Sequence, residues 1–390
     1  MTTIAVFVFF LGACIGHMAI LIFSINWWYG QPLPHRLLFV MRTLYGVLIL
    51  LGWWAFAKAF LLSGFELSAA SWATGWKTIA TAYAILCAIV GLGYLPLLTI
   101  RRRTYRPKAL RSNHATTLDF AAQLGYRPEG RGKYRLLTRL PGNEVFKVDF
   151  AERTLQLPRL PTALEGLSIV QISDLHFSGS PDLEFYKCLA DRCREWDPDL
   201  VAVTGDLVDT DLHYRWIVPV LGRLRWRSAA LAILGNHDSW HDVAVIRRRL
   251  KRLGMHVLGN GWIRLSVRDE QVVFIGNEGP WFRPPPDLSN CPAGGFRICL
   301  SHTPDNIGWC RQQGVDLMLS GHNHGGQVRF PLLGSLLVPS RYGRRYDCGT
   351  FDEPPTVLHV TRGLAGQHPL RYLCKPEVTR LVLTGRKNTP

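Results

Sequence analysis

No Lys, Arg, Asp or Glu occurs before Arg36, and that charge-free start opens a strongly apolar region. Three apolar stretches lie within it: Ile4–Phe23, Leu38–Leu62 and Ile79–Ile100. Each has about the ~20 residues that cross a bilayer as a helix. In hydrocarbon a lone segment must satisfy its own backbone N–H and C=O groups, so such stretches are confined to α-helix. Trp27, Trp28, Trp53, Trp54, Trp72 and Trp76 lie mostly near the ends of the stretches, as interfacial aromatics do. Lys58 is close enough to an end to reach the head groups along its own stem. Residues 1–100 read as an all-α membrane anchor of about three transmembrane helices. A cleaved leader is the alternative for the first stretch, but it lacks the basic start that leaders carry.

Directly after the third stretch the chain runs RRRTYRPKALR, with Arg101, Arg102, Arg103, Arg106, Lys108 and Arg111 and no acid. The positive-inside rule places this end in the cytoplasm. The first connection, with Arg36 and Arg42, then also faces inward, while the N-terminus and the second connection, with Glu66 and Lys77, face outward. The formal net charge is +16. It serves equally as a topology signal and as a contact with an anionic membrane surface. A nucleic-acid partner would rest on net charge alone and is not expected. The nine cysteines are odd in number and form no CxxC pair, which fits free thiols better than a disulfide framework.

Beyond a basic neck and linker (residues 101–151) the pattern changes. Ser112–Arg131 reads as a short helix and a Pro/Gly-rich turn. Asn143–Phe150 and Thr154–Leu157 read as a hairpin around Ala151-Glu152-Arg153. From 152 to 390 apolar runs alternate with helical stretches. Leu167–Ser173, Leu200–Thr204 and Ala229–Leu234 are strand-like, with helical stretches at Asp182–Trp196, His213–Arg225 and His241–Leu253. Further strand-like runs are Gln271–Ile275, Phe296–Leu300, Leu317–Leu319, Thr356–Val360 and Val378–Leu383. Such alternation indicates an α/β fold with a parallel or mixed sheet. The Pro-rich stretch Trp281–Gly295 reads as a surface connection, with a substrate lid as the alternative.

Five short motifs stand at the ends of these runs: SDLH at 173–176, GDLVD at 205–209, GNHD at 235–238, SH at 301–302 and GHNHGGQ at 321–327. Strand C-termini are where α/β sheets place ligands. A lone His-x-His or Gly-Asp is unremarkable. Five Asp/His/Asn groups in order, each after an apolar strand, suit two divalent cations held by carboxylate oxygen and imidazole nitrogen. Asp206, at the tip of the central strand, is the candidate to bridge the two, one oxygen to each. His213, His241, His256 and His359 have no motif around them and read as ordinary.

The set DxH, GDxxD, GNH[DE], a solitary His and GHxH resembles the calcineurin-like metallophosphoesterases. The GHNHGGQ ending and the lead-in LPRLPTALEGLSIVQISDLH resemble their bacterial membrane-associated branch, which includes UDP-2,3-diacylglucosamine pyrophosphatase-like proteins. Gly363, Arg371 and Pro376-Glu377 match later marks of that branch, and Asn323 replaces its usual threonine. The resemblance runs from about Glu152 to Gly385 and leaves out the three spans.

It implies a four-layer α-β-β-α sandwich. It also implies one metal on Asp174, His176, Asp206 and His324, and a second on Asp206, Asn236, His302 and His322. His237 would be the catalytic general acid, with Asp209 and Asp238 as supporting residues. The cofactors are expected to be two divalent ions, manganese first, iron or zinc otherwise. The expected activity is hydrolysis of a phosphodiester or pyrophosphate, its substrate lipid-linked or nucleotide-linked, in a multi-pass protein of the bacterial inner membrane with a cytoplasmic catalytic domain. A non-catalytic membrane sensor or scaffold and a broad-specificity phosphodiesterase are the alternatives.

Overall fold

A computed structural model of the chain describes residues 3–62, 76–292 and 294–385. Glu66 and Trp72 lie outside the described residues, as do the side chains of Trp76 and Lys77. The chain forms two compact units: Met1–Tyr105 with Phe330–Arg345, and Arg106–Arg329 with Tyr346–Pro390.

The first unit is built on helices α1 (Thr3–Tyr29), α2 (His35–Leu62), α3 (Trp76–Ile89) and α4 (Leu95–Thr104). A π-turn at Val90–Tyr94 joins α3 to α4, so the two make one continuous span. The three spans, Ile4–Tyr29, Arg36–Phe60 and Ile79–Thr104, are long and apolar enough to cross a membrane. Small residues let α1 and α3 approach closely. A Cβ at Gly16 would run into the Cys87 carbonyl, and Ala13 and Cys87 are fully buried between them. His17, a polar group in an apolar helix, is satisfied internally: Nε2–H donates to the Leu48 carbonyl (3.0 Å) and Nδ1 accepts from the Tyr83 hydroxyl (2.7 Å).

Phe330–Arg345 joins this unit from far along the chain. Leu336 packs with Ala19, Ile22 and Leu95. The Asn26 side chain donates to the Leu336 carbonyl (2.8 Å) and accepts from the Val338 N–H (3.0 Å). Arg344 donates to Thr99 Oγ1 (3.2 Å).

The second unit holds two sheets. In chain order its elements are β1 (Leu110–Asp119), α5 (Phe120–Leu124), β2 (Lys147–Gln156), β3 (Ser168–Ile172), α6 (Leu183–Arg194), β4 (Leu200–Thr204), α7 (Ile217–Leu221), β5 (Ala229–Ile233), α8 (Val243–Arg252) and β6 (His256–Val257). They continue with β7 (Trp262–Val267), β8 (Glu270–Asn277), β9 (Phe296–Ser301), α9 (Ile307–Gln312) and β10 (Leu317–Ser320), and, after a separate two-stranded ladder of β11 (Arg329–Phe330) and β12 (Gly334–Ser335) that runs into the first unit, with β13 (Gly349–Glu353), β14 (Thr356–Val360) and β15 (Glu377–Thr384). A seven-stranded sheet has the order β1-β2-β15-β3-β4-β5-β6, and a six-stranded sheet the order β13-β14-β10-β9-β8-β7.

The sheets share one apolar core, with Ile169, Leu200, Leu231 and Leu381 from one meeting Phe274, Ile298, Leu319 and Val357 from the other. The opposite face of the first sheet is covered by helices through Phe185, Leu189, Ile217, Leu221, Ile246 and Leu250. On the second sheet α9 packs near β14, with its Ile307 and Cys310 buried. This is a layered α-β-β-α arrangement, with the expected mixed sheets. Strands β3, β4 and β5 are parallel in one sheet, and β8, β9, β10 and β14 in the other. Because β3, β4 and β5 are buried along their whole length, they read as continuous apolar runs.

Two expectations fail locally. Ser112–Arg131 begins as strand β1, and only Phe120–Leu124 is helical, capped by Asp119, which accepts from Ala121 N (3.0 Å), and stopped at Gly125 with φ +73°. The residues expected to form a hairpin at 143–157 instead give one unbroken strand, β2, paired on both sides. Polar Arg153 suggested a turn, yet it is a buried strand residue bonded to Glu377 (2.8 Å). Tertiary pairing overrides the local signal in both places.

Candidate metal centre

All five motifs lie at or just past the C-terminal ends of β3, β4, β5, β9 and β10, so parallel pairing within each sheet, with the two sheets packed on one core, carries their side chains to one edge. Asp174, His176 and His324 present ligand atoms within 4.8 Å of one another, and so do Asp206, His302 and His322. Asp206 joins the two groups through a single oxygen. Its Oδ2 lies 3.5 Å from His176 Nε2 and 3.2 Å from His302 Nε2, while Oδ1 accepts from the His237 N–H (2.8 Å). Asn236 Oδ1 stands 3.1 Å from His302 Nε2 and completes the second group.

The hydrogen bonds fix which imidazole nitrogens face inward. His302 Nδ1 donates to the Thr204 carbonyl (2.7 Å) and His176 Nδ1 to Asp209 Oδ1 (3.0 Å). In each neutral ring Nε2 is therefore a bare lone pair. At His302 that lone pair meets Asp206 Oδ2 and Asn236 Oδ1, three electron-rich atoms with no proton between them. His176 Nε2 and Asp206 Oδ2 are buried and make no hydrogen bond. Only a positive charge resolves such convergence: a proton on the imidazole, or a metal ion. Burial opposes a charged imidazole, but Asp209 beside His176 and Asp206 beside His302 push each of these rings up to about 9. The donor set of carboxylate, imidazole and amide oxygen is able to hold divalent cations.

The supporting groups are equally placed. Asp209 Oδ1 also accepts from His237 Nδ1 (2.6 Å), so one carboxylate orients both His176 and the more exposed His237. Burial opposes its charge, but His176 and His237 hold it well below the usual carboxylate range. Asp238 accepts from the backbone N–H groups of Leu207 (2.9 Å), Val208 (3.2 Å) and Gly235 (2.9 Å), tying the β4 and β5 loops together. Burial, and then Asp206 beside it, push its carboxyl up to about 7. The loops are tight. A Cβ at Gly235 would meet the Asp206 side chain, and one at Gly321 would meet Ser173 and Asp174. Asp174, Asp206, His176, His322 and His324 all hold the left-handed backbone region, with φ between 43° and 68°. Non-glycine residues persist there only where surrounding structure holds them, and such strain gathers at functional sites.

Three contributors were not legible as site residues. Trp281 opens the Pro-rich stretch read as a surface connection, yet its ring lies 4.9 Å from that of His322 and 5.7 Å from that of His302. Trp240 lies 4.3 Å from His237. Arg371 is fully buried and donates to the carbonyls of His324 (3.1 Å), Arg362 (2.9 Å) and Gly363 (3.3 Å), clamping the His324 loop. Of the histidines read as ordinary, His359 is a core residue: its Nδ1 donates to Gln171 (2.7 Å) and its Nε2 accepts from Arg153 (2.6 Å).

The family model for the calcineurin-like phosphoesterases matches residues 167–326, the span from β3 through the last histidine motif. The uncharacterized metallophosphoesterase YkuE of Bacillus subtilis (strain 168) is 34% identical over 249 residues, covering 62% of this chain and 87% of the relative. Phosphodiesterase YaeI of Escherichia coli (strain K12) is 33% identical over 224 residues, 55% of this chain and 81% of the relative. A transmembrane protein with metallophosphoesterase domain from Danio rerio is 29% identical over 251 residues, 59% of this chain and 56% of the relative. With paired Asp/His clusters at the strand ends and these relatives alongside, the chain belongs to the calcineurin-like phosphoesterase family and is a hydrolase of phosphoric esters, associated with a membrane.

Proposed function

We propose that this chain is a membrane-anchored, binuclear-metal phosphodiesterase whose substrate is itself a membrane-resident phosphate compound. A UDP-2,3-diacylglucosamine pyrophosphatase-like activity is the leading specific candidate. The observation that carries the chemistry is Asp206 Oδ2 facing His176 and His302 at once, beside the Asp209–His237 pair. Asp174, His176, Asp206 and His324 would hold one divalent cation, and Asp206, Asn236, His302 and His322 the other. Manganese is our first choice; iron and zinc accept the same donors. When bound, such ions supply Lewis acidity toward the phosphoryl oxygens and an ionised water at neutral pH.

The chain's own residues divide the remaining work. Asp209 keeps the His237 proton on Nδ1, so Nε2 is the nitrogen presented outward. Protonated there, His237 gives its proton to the leaving oxygen as the P–O bond breaks. Asp209 stabilises the imidazolium before transfer. Trp240 and Trp281 flank the histidines and limit water around the leaving group.

The anchor is what favours a membrane-resident substrate. Enzymes for soluble phosphates have no need of three apolar spans. A compound anionic at one end and acylated at the other suits both the spans and the basic run after them. By the positive-inside rule the catalytic unit faces the cytoplasm of a bacterial inner membrane.

The test uses full-length protein in detergent, loaded with manganese. It is given UDP-2,3-diacylglucosamine and, separately, bis-p-nitrophenyl phosphate. Cleavage of both is expected, with the glycolipid preferred in kcat/KM, and Asp206→Asn should lose both activities together with most bound metal. Equal turnover of the two would replace the lipid-linked reading with a broad-specificity phosphodiesterase. Undiminished activity in Asp206→Asn would remove the metal assignment.

A further inference from the structure

Phe330–Arg345 lies in the same compact unit as the apolar helices, although 224 residues separate Tyr105 from Phe330 (330 − 105 − 1). We infer that this segment is itself a membrane element, a hairpin dipping into the acyl region of one leaflet, with lipid as its occupant. The inference rests on reading α1–α4 as membrane-spanning.

Three observations support it. The first is how the segment is held. Asn26 lies near the end of α1, only 3% exposed, and spends its amide on Leu336 O and Val338 N, as a neighbouring strand would. A buried amide in an apolar helix needs such partners. The second is depth. Leu336 packs on Ala19, Ile22 and Leu95. Ala19 lies seven residues before Asn26, which is ~10 Å of helix. Trp27 and Trp28 follow directly, and Arg101–Arg103 follow Leu95 at the end of α4. Leu336 therefore reaches below the aromatic and basic belt that marks the interface.

The third is what the hairpin leaves uncovered. Leu332 is 74% exposed, Leu337 59% and Phe330 46%. Pro331, Leu333, Val338 and Pro339 complete a run without a charge between Arg329 and Arg341. An apolar tip of this kind fits lipid, not water. The short β11–β12 ladder closes the turn and pairs part of its backbone.

The test places full-length protein in nanodiscs of phosphatidylethanolamine carrying a photoactivatable diazirine on the acyl chain. After irradiation, trypsin cuts after Arg329 and Arg341 and releases Phe330–Arg341 as one peptide. We expect lipid adducts on that peptide, as on peptides from α1–α4. Adducts on the helices with none on Phe330–Arg341 would overturn the hairpin and leave the spans standing. No adducts on either would overturn both. A second measurement uses Leu332→Cys with a membrane-impermeant maleimide, read by peptide mass so that native cysteines do not interfere. Leu136→Cys, on the other unit and 63% exposed at the native residue, is the reference. Labelling at 332 at least ~10-fold slower than at 136 supports insertion of the tip below the head groups. Equal rates would overturn it.

Discussion

Asp209, read from its motif as a supporting residue, makes two bonds, one to His176 and one to His237. It makes a leaving-group signature expected. His237→Ala should lower hydrolysis of diesters with alkyl leaving groups by ~10²–10⁴, the range of a lost general acid. The loss for aryl diesters should be much smaller, because nitrophenolate departs without a proton. Asp209→Asn should lose part of the same advantage and bind metal ~10–100-fold more weakly, as removal of a ligand's hydrogen-bond partner does. Rates across a leaving-group series, with metal counted per chain, check both. Equal losses for alkyl and aryl esters would assign His237 to phosphate binding instead. The Asp, Asn and His motifs were legible because strand ends advertise them. Trp281 was not, because its only local context was a proline-rich loop. The left-handed φ at Asp174 or His322 leaves no trace in residue type.

At the scale of elements, strands β3, β4, β5 and β14 were readable from composition because they are buried on both faces, whereas β1 and β2 were not. β1 is largely exposed and polar. β2 carries buried Arg153, whose partners Glu377 and His359 come from two other strands. The loop after β10 depends on a residue 47 positions further along the chain. Arg371 reaches back to the carbonyls of His324, Arg362 and Gly363. Arg371→Met should leave the fold intact while loosening His324, with metal affinity down ~10–100-fold. Lysine should not rescue it, since one ammonium cannot reproduce a planar fork of donors. Metal titration of the two variants decides the matter, and wild-type affinity in Arg371→Lys would reject the clamp.

For the whole molecule, the buried polar stack between the sheets sets an acid limit on stability. Burial, and then Arg153, push His359 down to about 3. An unfolded histidine titrates near ~6.5. Between those values the unfolded chain binds a proton that the folded chain refuses. The contribution is therefore full above about 6.5 and is lost as pH falls toward 3. Burial opposes the Glu377 charge, yet Arg153 and Arg362 hold it well below the usual range, which adds a loss of the same sign at lower pH. At pH 4.5 the histidine alone accounts for about 2–3 kcal/mol. Urea unfolding of the metal-free protein at pH 7.5 and 4.5 should show this drop, and His359→Gln should shrink it. An equal drop in the variant would locate the acid sensitivity elsewhere.

The hairpin at Phe330–Arg345 also bears on how the protein is made. The anchor is discontinuous, so it is not a module that can be cut away at Arg106 to leave a clean catalytic piece. Such a truncation would strand Leu332, Leu336 and Leu337 in water and invite aggregation. During synthesis α1 emerges early, but Asn26 must wait for Leu336 and Val338, some 310 residues later. At ~5–20 residues per second that delay is roughly 15–60 s. Until then the anchor is inserted but incomplete, and its final closure reports that most of the catalytic chain has already been translated.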